Sequence, residues 1–323
     1  MLRVGWVATA LTGAFWFAAP GQSHAQDWPN RPVKIVVAFS PGGSADQFGR
    51  LMASELSAAF RQQFFVENRP GNSGAIGSAQ VARAEMDGYT LLIGGSGPHL
   101  TGPAINPNIG YDPLKDFTHI AMIGADSYAW AANPALGARS LAELVGLAKQ
   151  RKDPITSSSP GPGSLGHLLI EQFKRKAGID IQHVPAPNSG VTDVLGNHIS
   201  MTFTAMMTVG EQVKAGRLAA LALTSPTTNP VFAAIPTFAQ QGYPDIRGET
   251  WFWLCGPRGV PSDVVARLNA ATRRIVKSPK VQEQFQALAL LSKDLDVAAV
   301  QAFIAEEYAY WAPLASSAGL RVH

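Results

Sequence analysis

The chain has 323 residues, 46% hydrophobic and 15% charged, with a formal net charge of +3. Two domains of ~150 residues, each with a sizeable core, fit in that length. The near-balanced charge, with no basic run or aromatic-basic stripe, excludes a nucleic-acid surface, and a lone cysteine, Cys255, excludes an internal disulfide.

Residues 1–25 read as an export leader: Arg3, an uncharged apolar run from Val4 to Ala19, and the small-x-small site Ser23-His24-Ala25. Cleavage is expected after Ala25, and the run is too short to be a stable membrane anchor. Without Arg3 the mature charge falls by one. The expected compartment is the periplasm.

The mature chain alternates strand and helix from Val33 onward. Val33–Phe39 is a strand and ends in Ser40-Pro41-Gly42-Gly43-Ser44. A helix follows over Asp46–Phe60, with Phe48, Leu51, Met52, Leu56 and Phe60 on one face. The first amides of such a helix lack intrahelical partners and sit at the positive end of the helix dipole. A small anion can bind there, and Gly42 and Gly43 let it approach the backbone. Asp46, in the first turn, either caps the helix, or orders the turn or accepts a ligand amine or a water.

Phe64–Glu67 is a short strand, Gly74–Ala84 a small-residue helix, and Tyr89–Ile93 a strand ending in a second Gly/Ser turn that holds Ser96 and Gly97. This βαβαβ order predicts a parallel sheet covered by helices, with ligand sites at the strand carboxyl ends. Ile120–Ile123 and Tyr128–Ala131 are expected as two strands, and Leu141–Gln150 as a helix with Ser140 and Glu143 as its capping pair. Strands at Ile155–Ser158, Gln182–Val184, Ser200–Phe203 and Leu218–Leu223, with helices at Ser164–Lys176, Gly190–Leu195 and Val209–Ala215, form a second unit. A short helix over Ile235–Gln241, a strand at Trp251–Cys255 and helices over Ser262–Val276, Pro279–Leu288 and Val297–Ser316 complete the chain. The fold class is α/β: two lobes of similar plan joined by about two crossings, a clamshell. The expected division is 26–122 for the first part of lobe 1, 123–224 for lobe 2, and 225–323 for the return to lobe 1 with C-terminal helices packing across the lobes.

The second strand–turn–helix device spans Ser157 to His167. Gly161, Gly163 and Gly166 spell G-x-G-x-x-G, but the embedded prolines, the absence of a well-placed acid and the export leader argue against a dinucleotide. What survives is a set of hydroxyls, Ser158, Ser159 and Ser164, at a helix start suited to a carboxylate. Each turn alone is as well explained by ordinary capping; two on matching places of two lobes favour a clamp. His167 could donate to an anion or simply pack. Asp193 is more simply a cap. Catalysis has little support: there is no G-x-S-x-G elbow, no pair of carboxylates placed for acid–base work, and no metal spacing among His99, His119, His167, His183, His198 and His323. No cofactor is expected. Cys255 reads as a buried thiol, and Trp251 and Trp253 as core by default, with one of them able to line the cleft.

Several segments in order resemble the Bug family, the periplasmic solute-binding receptors of tripartite tricarboxylate transporters. They are Trp28 to Asp46, Glu67 to Gly71, Ala75 to Gly77, Asp87 to Leu91, Tyr111 to Pro113 with Asp116 and Phe117, Gly163 and Ser164 with His167 and Leu168, Ala222 to Ser225, Ile235 to Thr237, and Gly242. The resemblance implies a type II periplasmic binding-protein fold with parallel-rich mixed sheets. It implies a small carboxylate or aromatic acid between the lobes, and a membrane transporter or a sensor as the protein's partner, with the protein itself monomeric. By the same resemblance the contacts are Phe39, Ser40, Gly42, Gly43, Ser44 and Asp46 on one side, with Ser96 and Gly97. Ser158, Ser159, Gly163, Ser164 and His167 grip from the other, and Asn188, Thr204 and Ala205 form side walls. The chain departs from the family pattern at Ala186, Pro187 and Asn188, where Tyr-Lys-Gly is usual, at Ser200 in place of an Asp, and at Thr204 and Ala205, where an Asn or Asp is often found. An exported serine hydrolase and a ligand-free interaction protein of the same fold are the alternatives.

Overall fold

A computed structural model of the chain describes residues 28–106, 108–225, 232–287 and 290–317, without the side chains of 187, 188 and 317. The expected leader, 1–25, and the side chain of Asn188 lie outside the described residues. In chain order the elements are β1 (Val33–Val37), α1 (Ser44–Phe60), β2 (Phe64–Asn68), α2 (Ala75–Ala82), β3 (Thr90–Gly95), a π-helical turn (Gly97–Thr101) leading into α3 (Gly102–Ile105), β4 (Phe117–Ala132) and α4 (Leu141–Gln150). Then come β5 (Ile155–Ser159), α5 (Leu165–Ala177), β6 (Ile181–Pro185), α6 (Val191–Leu195), β7 (Met201–Ala205), α7 (Met206–Lys214), β8 (Ala219–Leu223), β9 (Glu249–Pro257), α8 (Ser262–Lys277), α9 (Pro279–Ala287), β10 (Leu290–Leu291) and α10 (Val297–Ser317).

The sheet path runs β2-β1-β3-β9-β4-β7-β5-β6, with β8 and β10 also paired to β4. In the first lobe β1 lies parallel to both β2 and β3; in the second, β5 lies parallel to β6 and β7. Helices cover both faces, so the strands read as near-continuous apolar runs. On β1, Val33, Ile35 and Val37 enter one core, with Phe48, Met52 and Leu56 of α1, while Val36 enters the other. Gly49 is needed where α1 meets the sheet, since a Cβ there would lie 2.5 Å from Val37 Cγ2.

The two strands expected at Ile120–Ile123 and Tyr128–Ala131 are one, β4, of 16 residues. Gly124, Asp126 and Ser127 interrupt its apolar run, yet the backbone pairing continues. From Phe117 to Ser127 it pairs with β9; from Tyr128 it pairs with β7, and from Ala129 with β8. One strand therefore serves both lobes. At the change of partner three segments are tied: the Tyr128 amide donates to Thr224 Oγ1 (2.9 Å), Thr224 N to the Tyr128 carbonyl (2.9 Å), and Thr224 Oγ1 to the Gly248 carbonyl (2.6 Å). The helix expected over Ile235–Gln241 is only a 3₁₀ turn at Ala239–Gln241, because the preceding residues pair with the end of β8, Leu223 N donating to the Pro236 carbonyl (3.0 Å) and Phe238 N to the Leu223 carbonyl (2.9 Å); Phe238 packs against Trp130, Phe173 and Phe203. Ser140 caps α4, accepting from the Glu143 amide (3.2 Å). Trp253 and Cys255 are fully buried, and burial pushes the Cys255 thiol pKa far up.

Candidate functional site: a cleft between two helix starts

A cavity of about 570 Å³ opens between the lobes. From the first lobe it is lined by Phe39, Ser40, Gly43, Ser44 and Ala45, by Pro70 to Gly74, and by Gly95, Ser96 and Gly97. From the second it is lined by Pro160, Gly161, Pro162, Ser164 and Leu165, by Pro185, Ala186 and Ser189, and by Thr204, Ala205 and Thr208. Tyr128, Thr250 and Phe252 complete it. Carboxyl ends of strands β1, β3, β5, β6 and β7 thus meet one space, as an open α/β sheet predicts.

The start of α1 meets the cavity without a side-chain cap. Its N-cap is Gly43, which has an ordinary extended backbone (φ −79°, ψ 172°) and no side chain to bond the first amides. Ser44 and Ala45 open the helix at the cavity wall. The preceding turn is held from behind by Asp46: its carboxylate accepts from the Gly42 amide (2.9 Å), the Asn68 side chain (2.9 Å) and Arg50 Nε (2.8 Å). Burial alone would raise the Asp46 pKa, but these hydrogen bonds outweigh it and hold the carboxyl below its usual value. Gly42 takes φ +88°, where glycine is favoured. Asp46 and Gly42 are not part of the lining; they shape the turn that is.

The start of α5 is arranged differently. Ser164 is its N-cap, and its hydroxyl accepts from the His167 amide (3.3 Å). Ser158 Oγ donates to the Ser189 carbonyl (2.6 Å), and Ser159 Oγ lies 2.7 Å from His183 Nε2. His167 stacks on His183, with ring centroids 3.7 Å apart. Burial, then the neighbouring His167 and Lys174 charges, push the His183 pKa down to about 3, and burial lowers that of His167. Ser158, Ser159, Gly163 and His167 therefore stand behind the lining, where they brace the turn.

The geometry brings Phe39, Ser40, Gly43, Ser44, Ser96, Gly97, Ser164, Thr204 and Ala205 to one cavity. Sequence reasoning did not single out Ser73, Tyr128, Thr208 or Asp126. Ser73 Oγ donates to the Pro162 carbonyl (2.5 Å), and Thr101 Oγ1 to the Gly163 carbonyl (2.7 Å), so the lobes touch across the mouth. Asp126, on β4, is fully buried; its Oδ2 accepts from the Met207 amide (2.9 Å) and the Ser44 hydroxyl (3.4 Å), and its Oδ1 has no partner among the described residues. Burial pushes its pKa up to about 8, opposed in part by those bonds. An acid interrupting an apolar strand was the available signal.

A sequence model described as the tripartite tricarboxylate transporter family receptor matches residues 48–320. Protein BugT of Bordetella pertussis is 33% identical over 301 residues, 92% of each chain. Among solved structures, Rpa4515 of R. palustris with adipate superposes with a TM-score of 0.86 at 31% identity, covering 91% of this chain and 99% of that one. MatC of Rhodopseudomonas palustris with bound malate gives 0.83 at 26% identity, covering 89% and 100%. The two-lobe fold, the cleft at its strand ends and a match over most of the chain agree: this protein belongs to the tripartite tricarboxylate transporter receptor family.

Proposed function

We propose that the protein is a periplasmic receptor that captures a small organic acid between its lobes and presents the closed form to a membrane transporter or a sensor. The observation that carries this reading is the uncapped start of α1, whose first residues line a cavity closed from the other side by the start of α5. Free amides at a helix start favour a carboxylate, and a cavity of this size suits a small molecule. Adipate and malate in the similar structures support the ligand class. Among the described residues no helix is long and apolar enough to cross a membrane.

In this reading the lobes hinge where β4 changes partners, at Ser127 and Tyr128, and where the chain enters β9 after Gly248. The expected divisions 26–122, 123–224 and 225–323 shift accordingly, with residues 232–248 counted in the second lobe because Phe238 packs there. Ligand binds the closed form better and so shifts the population toward it. The protein acts as a monomer and carries out no chemistry on its ligand. Asp46, Gly42, Ser158, Ser159, Gly163 and His167 serve binding by fixing the two turns.

A thermal-shift screen over organic acids tests this. Ligand binding only the folded state stabilises it by RT ln(1 + [L]/Kd), ~2.7 kcal/mol at a hundredfold excess over Kd. At least one acid is expected to raise Tm by several degrees. A broad panel that leaves Tm unmoved contradicts the reading.

A further inference from the structure

We infer that Asp126 is a positioning residue of the ligand site: held as a neutral acid, it turns the Ser44 hydroxyl toward the bound anion, so that the site holds the anion and one proton together. This rests on the receptor reading above, with the anion at α1. Two helices, α1 and α2, begin at the cavity with a glycine N-cap and no side-chain cap; of these, α1 is joined to a buried acid. Asp126 is fully buried, its Oδ2 lies 3.4 Å from Ser44 Oγ, and Ser44 Oγ lies 3.3 Å from Thr208 Oγ1. Ser44 and Thr208 both line the cavity, so the carboxyl stands one hydroxyl behind the wall. The same Oδ2 accepts from the Met207 amide at the start of α7 (2.9 Å). Asp126 thus touches a helix of each lobe, one residue from the change of partner on β4, where closure moves atoms least.

The state of the acid decides which way Ser44 points. When Asp126 is ionised, the Ser44 hydroxyl donates to it and presents lone pairs to the cavity. When Oδ2 carries a proton from solvent, it donates to Ser44 Oγ and still accepts from Met207, and the Ser44 hydrogen is released toward the cavity. An anion at the start of α1 then gains a donor beside the free amides. Two ionised carboxylates on one buried hydroxyl disfavour each other, so the bound anion holds the proton on Asp126. Burial pushes the Asp126 pKa up to about 8 in the free protein, opposed in part by its bonds to Met207 and Ser44. With the bound value higher still, affinity is complete below pH 8 and is lost as pH rises through it.

The groups facing Asp126 are uncharged: Ser44 on α1, the Met206 and Met207 amides on α7, Thr250 on β9 and Leu290 on β10. Tyr128, on its own strand, is pushed up to about 12 by burial. Asp46 and Arg50 of α1 pair with each other, Glu211 and Lys214 of α7 are exposed, and Glu249 of β9 acts on Glu307 of α10. Burial lowers His167 and His183 behind the α5 turn, so both are neutral above pH 7.

Calorimetric titration of the extensively dialysed protein with adipate, malate, succinate, benzoate and hexanoate at pH 7 and pH 9 tests this; all five acids are ionised at both. For the tightest binder, Kd is expected to be about tenfold weaker at pH 9 than at pH 7. Repeated in two buffers of different ionisation enthalpy, binding is expected to take up close to one proton at pH 9 and close to none at pH 7. Asp126→Asn, which cannot titrate, is expected to bind equally at both pH values and to take up no proton. A constant wild-type Kd, as for an anion seated at α2 instead, or an Asp126→Asn protein that weakens as steeply as wild type, overturns this inference and leaves the receptor reading intact. No heat from any of the five at millimolar concentration overturns both. If Asp126→Asn does not fold, the wild-type proton count decides alone, and no uptake at pH 9 overturns the inference.

Discussion

The hydroxyl of Ser73 donates to the carbonyl of Pro162 across the mouth of the cleft, at 2.5 Å. Ser73 belongs to the loop before α2, and Pro162 to the turn before α5, so this bond exists only when the lobes are together. A neutral hydrogen bond contributes about 1 kcal/mol net. Ser73→Ala is therefore predicted to weaken ligand binding about fivefold while leaving the Tm of the free protein nearly unchanged. Calorimetry beside a melting curve checks this; an unaltered Kd would show that the latch adds nothing to closure.

Gly43→Val separates binding from folding. Among the described residues, chain neighbours aside, a Cβ at Gly43 would come within 4 Å of the Ser40 carbonyl oxygen alone, at 3.8 Å, and the backbone there is ordinary for any residue. The variant should fold with a Tm close to wild type. Its side chain would nonetheless stand in front of the Ser44 and Ala45 amides, and affinity is predicted to fall more than tenfold. Equal affinity by calorimetry would place the anion elsewhere.

Gly163→Ala should wedge the lobes apart. Gly163 takes φ +74°, and its Cβ would lie 1.9 Å from Ile105 Cδ1 on the opposite lobe. The Cβ would also meet Ile105 Cγ1 at 3.1 Å, so turning Cδ1 away does not by itself clear the contact, and the variant is predicted to stay open with ligand present. Small-angle scattering would then detect no ligand-induced contraction, and affinity should drop at least tenfold. A variant that contracts like wild type would refute the wedge.

Asp126 predicts a pH dependence of stability. Its folded pKa is raised to about 8 by burial, against ~3.9 for an unfolded chain. Its partners are the Ser44 hydroxyl on α1 and the Met206 and Met207 amides on α7; Thr250 on β9 and Leu290 on β10 are its strand neighbours, and Tyr128 is the nearby titratable group. The folded state keeps a proton that the unfolded state has lost between pH 4 and 8. The stabilisation is complete below pH 4 and is lost as pH rises through about 8, with a slope of at most ~1.4 kcal/mol per pH unit. Asp126→Asn, which resembles the protonated acid, should flatten that slope and melt higher than wild type at pH 8. Parallel denaturation curves for the two proteins from pH 5 to 9 would contradict the raised pKa.

Local devices were the legible part of this chain. The run from Val33 into Ser40–Ser44 and the run from Ile155 into Ser159–Ser164 each announce a strand, a glycine turn and a helix start, because backbone preference and apolar periodicity act over a few residues. Ser140 before Glu143 announces its helix for the same reason. The joins between distant segments were not legible. Ser73 is one small residue in a loop, and nothing local shows that Pro162 will face it. Asp126 reads as a break in an apolar run, whereas the strand continues because its backbone pairing is set by β9, β7 and β8. Of the turn residues, those that touch the cavity, such as Ser44 and Ser164, could not be told by type from those that brace it, such as Ser158 and Ser159. The distinction depends on which side of the turn each residue takes once distant strands have paired.

The account rests on an anion seated at the start of α1. Amide ¹⁵N–¹H spectra recorded during titration with the tightest-binding organic acid test this most directly. The Ser44 and Ala45 amides should move downfield together, saturating with the calorimetric Kd and shifting more than the amides of α5. A ligand that saturates the protein while those two resonances stay in place would contradict it.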